Sequence, residues 1–148
     1  MKEIERKFLV KDSSIIMNCV FDEIKQTYLF NELNKSLRIR LKNESAFLTI
    51  KGNQEGISRD EFEYEIPKID AIEMIERFNL KVISKRRYYL IAQNLTWEID
   101  VFEEKLKGLV VAEIELPFEH FEFEVPDWIG EEVTFDPSYL NAELFKKL

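Results

Sequence analysis

Charged residues in this chain recur two positions apart, in short runs sorted by sign. Glu3, Glu5 and Lys7 do so in KEIERKFLV, Arg38 and Arg40 in SLRIRLK, and Arg59, Glu61, Glu63 and Glu65 in RDEFEYEI. Lys85 and Arg87, Glu98 and Asp100, and Glu113 and Glu115 continue the pattern, while Lys51 stands alone after AFLTI. In an extended strand, residues two apart share one face. Grouped carboxylates attract hard divalent cations such as Mg2+ or Mn2+. Grouped Arg and Lys attract phosphate oxygens, and the planar guanidinium fork suits them well. Chemistry that needs both at once is that of a polyphosphate accompanied by metal.

Strands must carry these faces, and the residues between the charges supply them. Ile4, Phe8 and Val10 alternate with the first set, Leu37, Ile39 and Leu41 with the second, and Phe62, Tyr64 and Ile66 with the third. The alternation predicts strands near 3–10, 24–29, 36–42, 46–51, 59–66, 83–91, 96–102 and 109–116, with turns in KNES and KGNQEG. Asp70 is placed to cap a helix in KIDAIEMIERFNL, where Ile72, Ile75 and Phe78 fall three apart. A second helix is expected from Pro137 through Tyr139, Leu140 and Leu144 to the end of the chain.

About eight strands joined mostly by short turns fit an antiparallel sheet curled toward a barrel, so the class is mainly β (α+β). An apolar barrel interior with solvated charges would show the same alternation. The sorting by sign favours the inverse arrangement, because adjacent like charges on an exposed face destabilise without benefit. Charges turned inward would line one cavity, too costly to be dry, that must hold water, metal ions and a highly charged ligand.

The 148 residues suffice for one domain, 1–148, with a real core. A net charge of -8 excludes the broad basic surface of a duplex nucleic-acid binder. Cys19, the one cysteine, excludes an intrachain disulfide framework and a cysteine-based zinc site. His120, the one histidine, sits in an acidic loop and leaves no Ser-His-Asp triad. No apolar run reaches membrane-spanning length and the charged N-terminus is not a signal peptide, so a cytoplasmic protein with no membrane partner is expected.

Taken in order, the motifs resemble those of the CYTH superfamily, the triphosphate tunnel metalloenzymes. EIERK fits the Glu-x-Glu-x-Lys signature, and the likeness continues through RIR, LTIKG, RDEFEYEI, SKRRY, WEIDVF and GLVVAEIEL, nearly the whole chain. The resemblance implies a closed eight-stranded antiparallel β-barrel, a tunnel with charged side chains inside and a few flanking helices. It implies that Arg38, Arg40, Lys51, Lys85 and Arg87, with Arg59, clamp the substrate. Glu3, Glu5, Glu61, Glu63, Asp100, Glu113 and Glu115 would hold metal directly or through water. Lys7 would stand near the reacting end of the substrate, and Glu5 and Lys7 are the expected catalytic residues. Glu65 and Glu98 share the right faces but match less firmly. Ser138 before Tyr139 departs from the Arg that many members carry there.

The expected activity is hydrolysis of the terminal phosphoanhydride of inorganic tripolyphosphate, or of a nucleoside triphosphate, with two Mg2+ or Mn2+ ions during catalysis. A class IV adenylate cyclase of the same family would need a nucleoside pocket and a positioned 3′-hydroxyl, for which no motif is visible. Thiamine triphosphatases are longer and need a thiazole and pyrimidine pocket. A non-catalytic polyphosphate or nucleotide sensor would have no need of the intact Glu-x-Glu-x-Lys. A homodimer is compatible with the sequence but not required by it.

Overall fold

The described residues form nine strands, eight of them where the period-two alternation falls: β1 (Lys2–Val10), β2 (Phe21–Glu32), β3 (Lys35–Lys42), β4 (Ser45–Glu55), β5 (Ser58–Ile66), β6 (Ile83–Ala92), β7 (Leu95–Phe102), β8 (Val110–Glu115) and β9 (Ile129–Glu132). They belong to a computed structural model that describes residues 1–32 and 34–148. The strand order is β5-β4-β3-β2-β6-β7-β8-β1-β9, and a β5–β1 pairing closes the first eight into an antiparallel barrel. β9 is an addition the alternation did not predict; it lies beside the end of β1 through Phe8 and Val10.

Turn residues fix the register of the hairpins. Gln93 and Asn94, both at positive φ (56° and 60°), make the two-residue turn between β6 and β7, a geometry matched to the twist of the flanking strands. Asn43 (φ 52°) serves the β3–β4 turn, where a short polar side chain tolerates the left-handed region. The β4–β5 turn is narrower than KGNQEG suggests. Gly56 (φ 62°) makes it, while Gly52 and Asn53 lie within β4, where the register shifts between Lys51 and Gln54.

Both predicted helices need correction. α1 (Lys68–Arg77) starts after Pro67, and no side chain caps it. Asp70 falls in its first turn instead, where a negative charge still complements the exposed N–H groups. The C-terminal helix is not continuous from Pro137. A 3-10 turn at Pro137–Tyr139 is broken by extended Leu140, and only then does α2 (Asn141–Phe145) begin.

Apolar side chains pack on the outside of the barrel. Phe8, Trp97, Ile99, Ala112 and Ile114 form a fully buried cluster, covered by Phe121, Phe123 and Trp128 from the segment after β8 and by Ile129 of β9. Trp97 meets Phe8, Phe123 and Trp128 edge-on, with ring centroids 5.6, 5.8 and 5.3 Å away. α1 covers a second patch, seating Ala71 against Ile39 and Ala46. Each large side chain so buried contributes roughly 1.5–3 kcal/mol, which offsets the cost of a charged interior. At one end the barrel is apolar within. Ile83, Phe102 and Val111 there receive Leu144 of α2, and Phe145 lies edge-on to Tyr28, so the C-terminal segment closes that end.

Candidate active site

Directly opposed residues of antiparallel strands share a face, so the pairing register decides which charges meet. Glu5 lies opposite Glu115, and Lys7 opposite Glu113; Glu113 in turn lies opposite Glu98. Lys51 faces Glu61, Arg87 faces Asp100, and Glu3 faces Arg59. These side chains turn inward. Arg38, Arg40, Lys51, Arg87, Glu3, Glu5, Glu61, Glu63, Glu98, Glu113 and Glu115 line one cavity of about 540 Å³. Leu37, Ile39, Phe62 and Ile114 do not line it. Glu65 is exposed on β5 and also lies outside the lining.

On the cationic side, Arg40 donates to both oxygens of Glu63 at 3.1 Å, and Arg38 reaches Glu63 at 3.4 Å. Thr49 joins them, donating to Glu63 at 2.7 Å while accepting from Arg38 at 3.2 Å. Burial and the neighbouring Arg38 cation lower the proton affinity of Arg40 against the pull of Glu63, a sign of positive charge incompletely answered. Behind the cavity wall, Asp100 is fully buried; it accepts from Lys85 at 2.6 Å and from Arg87 at 2.7 and 2.8 Å. Burial draws the Lys85 ammonium down to about 8, with Asp100 pulling the other way and Arg87 adding to the fall.

The acidic side is differently built. Burial raises Glu5 well above the usual carboxylate range, and Glu113 and Glu3 beside it raise it further. Glu113 is buried too, but Lys7 at 3.4 Å, Arg87 and Lys85 hold it well below that range. Lys51 bridges Glu3 at 2.7 Å and Glu61 at 3.1 Å. Burial would raise Glu3, yet Lys51 brings it down, whereas Glu61 stays raised by burial and by Glu3. Burial, Glu3 and Glu61 also raise Glu115.

Lys7 and Arg59 sit toward the closed end, beside Glu5 and Leu140. Lys7 donates to the Tyr139 carbonyl at 3.2 Å, and Arg59 donates to the Gly52 carbonyl at 2.7 Å. Ser138, where the C-terminal motif departs from its pattern, donates its hydroxyl to Asp136 at 2.6 Å instead of reaching the tunnel.

An all-oxygen set of carboxylates, several pushed toward protonation by one another, has the chemistry of a site for a hard divalent ion. Among the described residues, no three acidic, histidine or cysteine side chains converge as a ready-made cage. Lys51 bridges Glu3 and Glu61, and Lys7 pairs with Glu113.

The comparisons with known proteins agree with this geometry. The model of the CYTH domain matches residues 1–143. The chain belongs to the CYTH family. Over 98% of its length it is 47% identical to an inorganic triphosphatase of Acetivibrio thermocellus, of which the alignment covers 94%. An inorganic triphosphatase of Nitrosomonas europaea is 34% identical over 97% of both chains. The crystal structure of an inorganic triphosphatase superposes with a TM-score of 0.68 at 31% identity, covering 96% of this chain and 93% of that one. For this CYTH domain, family membership implies dependence on a divalent metal. No described helix is long and apolar enough to cross a membrane.

Two participants in the CYTH tunnel escaped the sequence reading. Thr49 lies two before Lys51 and so on its face, but an uncharged residue gives no signal when charges are being sorted. Asn141, whose Oδ1 accepts from Lys85 at 3.2 Å, comes from a segment with no strand periodicity at all.

Proposed function

We propose that this protein is an inorganic triphosphatase that hydrolyses the terminal phosphoanhydride of tripolyphosphate with the help of Mg2+ or Mn2+. One observation carries the reading: a cationic wall and an acidic wall face the same 540 Å³ cavity. The two relatives named as inorganic triphosphatases, similar along nearly their whole length, support it. A nucleoside triphosphate could place its phosphates on the same walls, but no feature of the cavity favours a base. The cytoplasm, where such substrates are made, is the expected location.

Arg38, Arg40, Lys51 and Arg87 bind the polyanion and hold it extended, and they stabilise negative charge that develops on the transferred phosphoryl group. Glu63 and Asp100 orient the clamp by fixing the guanidinium and ammonium groups. Glu3, Glu5, Glu61, Glu113 and Glu115 would hold the divalent ions, two during catalysis. Such ions would supply charge to neutralise phosphate oxygens and would lower the pKa of a bound water. Lys7, anchored by Glu113 and the Tyr139 carbonyl, places its charge at the closed end, near the reacting phosphoryl group. No covalent intermediate on the protein is needed.

Phosphate release should be measured with tripolyphosphate, ATP and thiamine triphosphate, each with Mg2+ or Mn2+ and with excess chelator. Tripolyphosphate should be hydrolysed fastest, and chelation should abolish turnover. Undiminished hydrolysis in chelator would remove the metal role of the carboxylates. Binding without hydrolysis under all conditions would make the protein a sensor.

A further inference from the structure

Gln26 is a neutral side chain on an inward-facing wall of charges, and its exposure is 0%. It lies directly opposite Arg40 of β3, while Tyr28, two residues on, lies opposite Arg38. Its side chain therefore shares a face with both arginines. Neither its Nε2 nor its Oε1 has a hydrogen-bond partner, and the Nε groups of Arg38 and Arg40 have none either. Among the described residues these four atoms are the buried side-chain nitrogens and oxygens left unpartnered, and all belong to this one patch.

Folded proteins rarely leave such groups unpaired, because a buried donor or acceptor without a partner keeps its full desolvation cost. The set is chemically complementary: two Nε–H donors and an amide oxygen that can accept two hydrogen bonds, on side chains that share one face of adjacent strands. Each arginine instead commits a terminal nitrogen elsewhere, Arg38 Nη2 to Thr49 and Glu63 and Arg40 Nη2 to Glu63. A bound polyphosphate would compete with Glu63 for those terminal nitrogens, and the guanidinium planes would then have to turn.

We propose that Gln26 is a positioning residue for the arginine clamp, its Oε1 accepting from the Nε–H groups of Arg38 and Arg40 when their outer nitrogens move from Glu63 to a polyphosphate. The amide oxygen is then satisfied only in the ligand-bound state. It costs stability in the free protein and contributes affinity in the complex. The inference rests on the proposed polyphosphate reading of the tunnel.

The test is Gln26→Met, which keeps the volume and removes the polar atoms, with Gln26→Leu as a second variant. Thermal midpoint without ligand, KM and kcat for tripolyphosphate with Mg2+, and its dissociation constant by calorimetry should be measured. The free variant should melt at or above the wild-type temperature, while KM and the dissociation constant rise about tenfold. In an Arg40→Lys background, which lacks the Nε–H, the same substitution should weaken binding by clearly less. Unchanged affinity, a loss that multiplies in full with Arg40→Lys, or a collapse in melting temperature in both variants would each overturn the proposal. A wild-type protein that does not bind tripolyphosphate would instead overturn the reading of the tunnel itself.

Discussion

Around Asp100 the buried charges answer one another, with Lys85 and Arg87 within 2.8 Å of its oxygens. Around Glu5 they do not. Glu3, Glu5, Glu61, Glu113 and Glu115 share Lys51 and Lys7 between them, and Glu5 is held toward its neutral form. The first region is balanced by its own ion pairs, which fix Arg87 where it meets the cavity. The second carries repulsion that an added cation would relieve. A single tunnel thus contains charges that are answered by their neighbours and charges that are not, and ion pairing separates them better than residue type does.

Breaking the complete cluster should have the largest effect on the fold. Asp100→Asn leaves two buried cations without their counter-charge and should cost about 3–5 kcal/mol in denaturant unfolding. The incomplete cluster should respond in the opposite way. Glu5→Gln keeps the shape and removes a charge that burial already disfavours, so stability should hold or rise. kcat for tripolyphosphate should nevertheless fall about 100-fold, since one oxygen charge is lost from the set proposed to hold the ions. A Glu5→Gln variant that unfolds easily but turns over normally would reverse the assignment of the two regions.

The smallest effect belongs to Asp22, which accepts from Tyr89 at 2.6 Å and from Asn43 at 2.6 Å, and pairs with Lys42 at 3.4 Å. Partial burial would raise its pKa, but these partners bring it below the usual 3.8. Its stabilisation is therefore present above about 3.8, the unfolded value, and is lost as pH falls through the lower folded value. Asp22→Asn should cost under about 1 kcal/mol at neutral pH, because solvent screens the pair. The gap from wild type should vanish in acid-range unfolding curves below the folded pKa.

Much of this was legible from the spacing of charges. Arg38, Arg40, Glu61, Glu63 and Glu113 line the cavity because period two leaves a strand residue only two faces, and sign-sorting indicated which face turned inward. Asp100 and Glu115 looked alike as inward acids. Their difference, an acid enclosed by two cations against one left exposed among other acids, depends on pairings between distant strands. β9 and the aromatic cover over Trp97 were not legible. Their four strand residues and the loop of 117–128 are held by contacts rather than by a repeating pattern. The break at Leu140 was hidden for a related reason: the Tyr139 carbonyl before it accepts from distant Lys7, a contact that nothing local to PSYLNAEL records.

β1, the first of the nine strands, takes its partners from residues 58–60, 111–115 and 129–132. The hairpins from β2 to β5 and from β6 to β8 can form from neighbours in sequence, whereas β1 must wait for segments made long after it. Until it is seated, Glu3, Glu5 and Lys7 remain hydrated like any charges on an open strand. Closing the seam strips that hydration in the same step that completes the barrel. The late, slow event in assembly and the creation of the charged interior are therefore one event, and its rate should respond to ions in solution as well as to apolar packing.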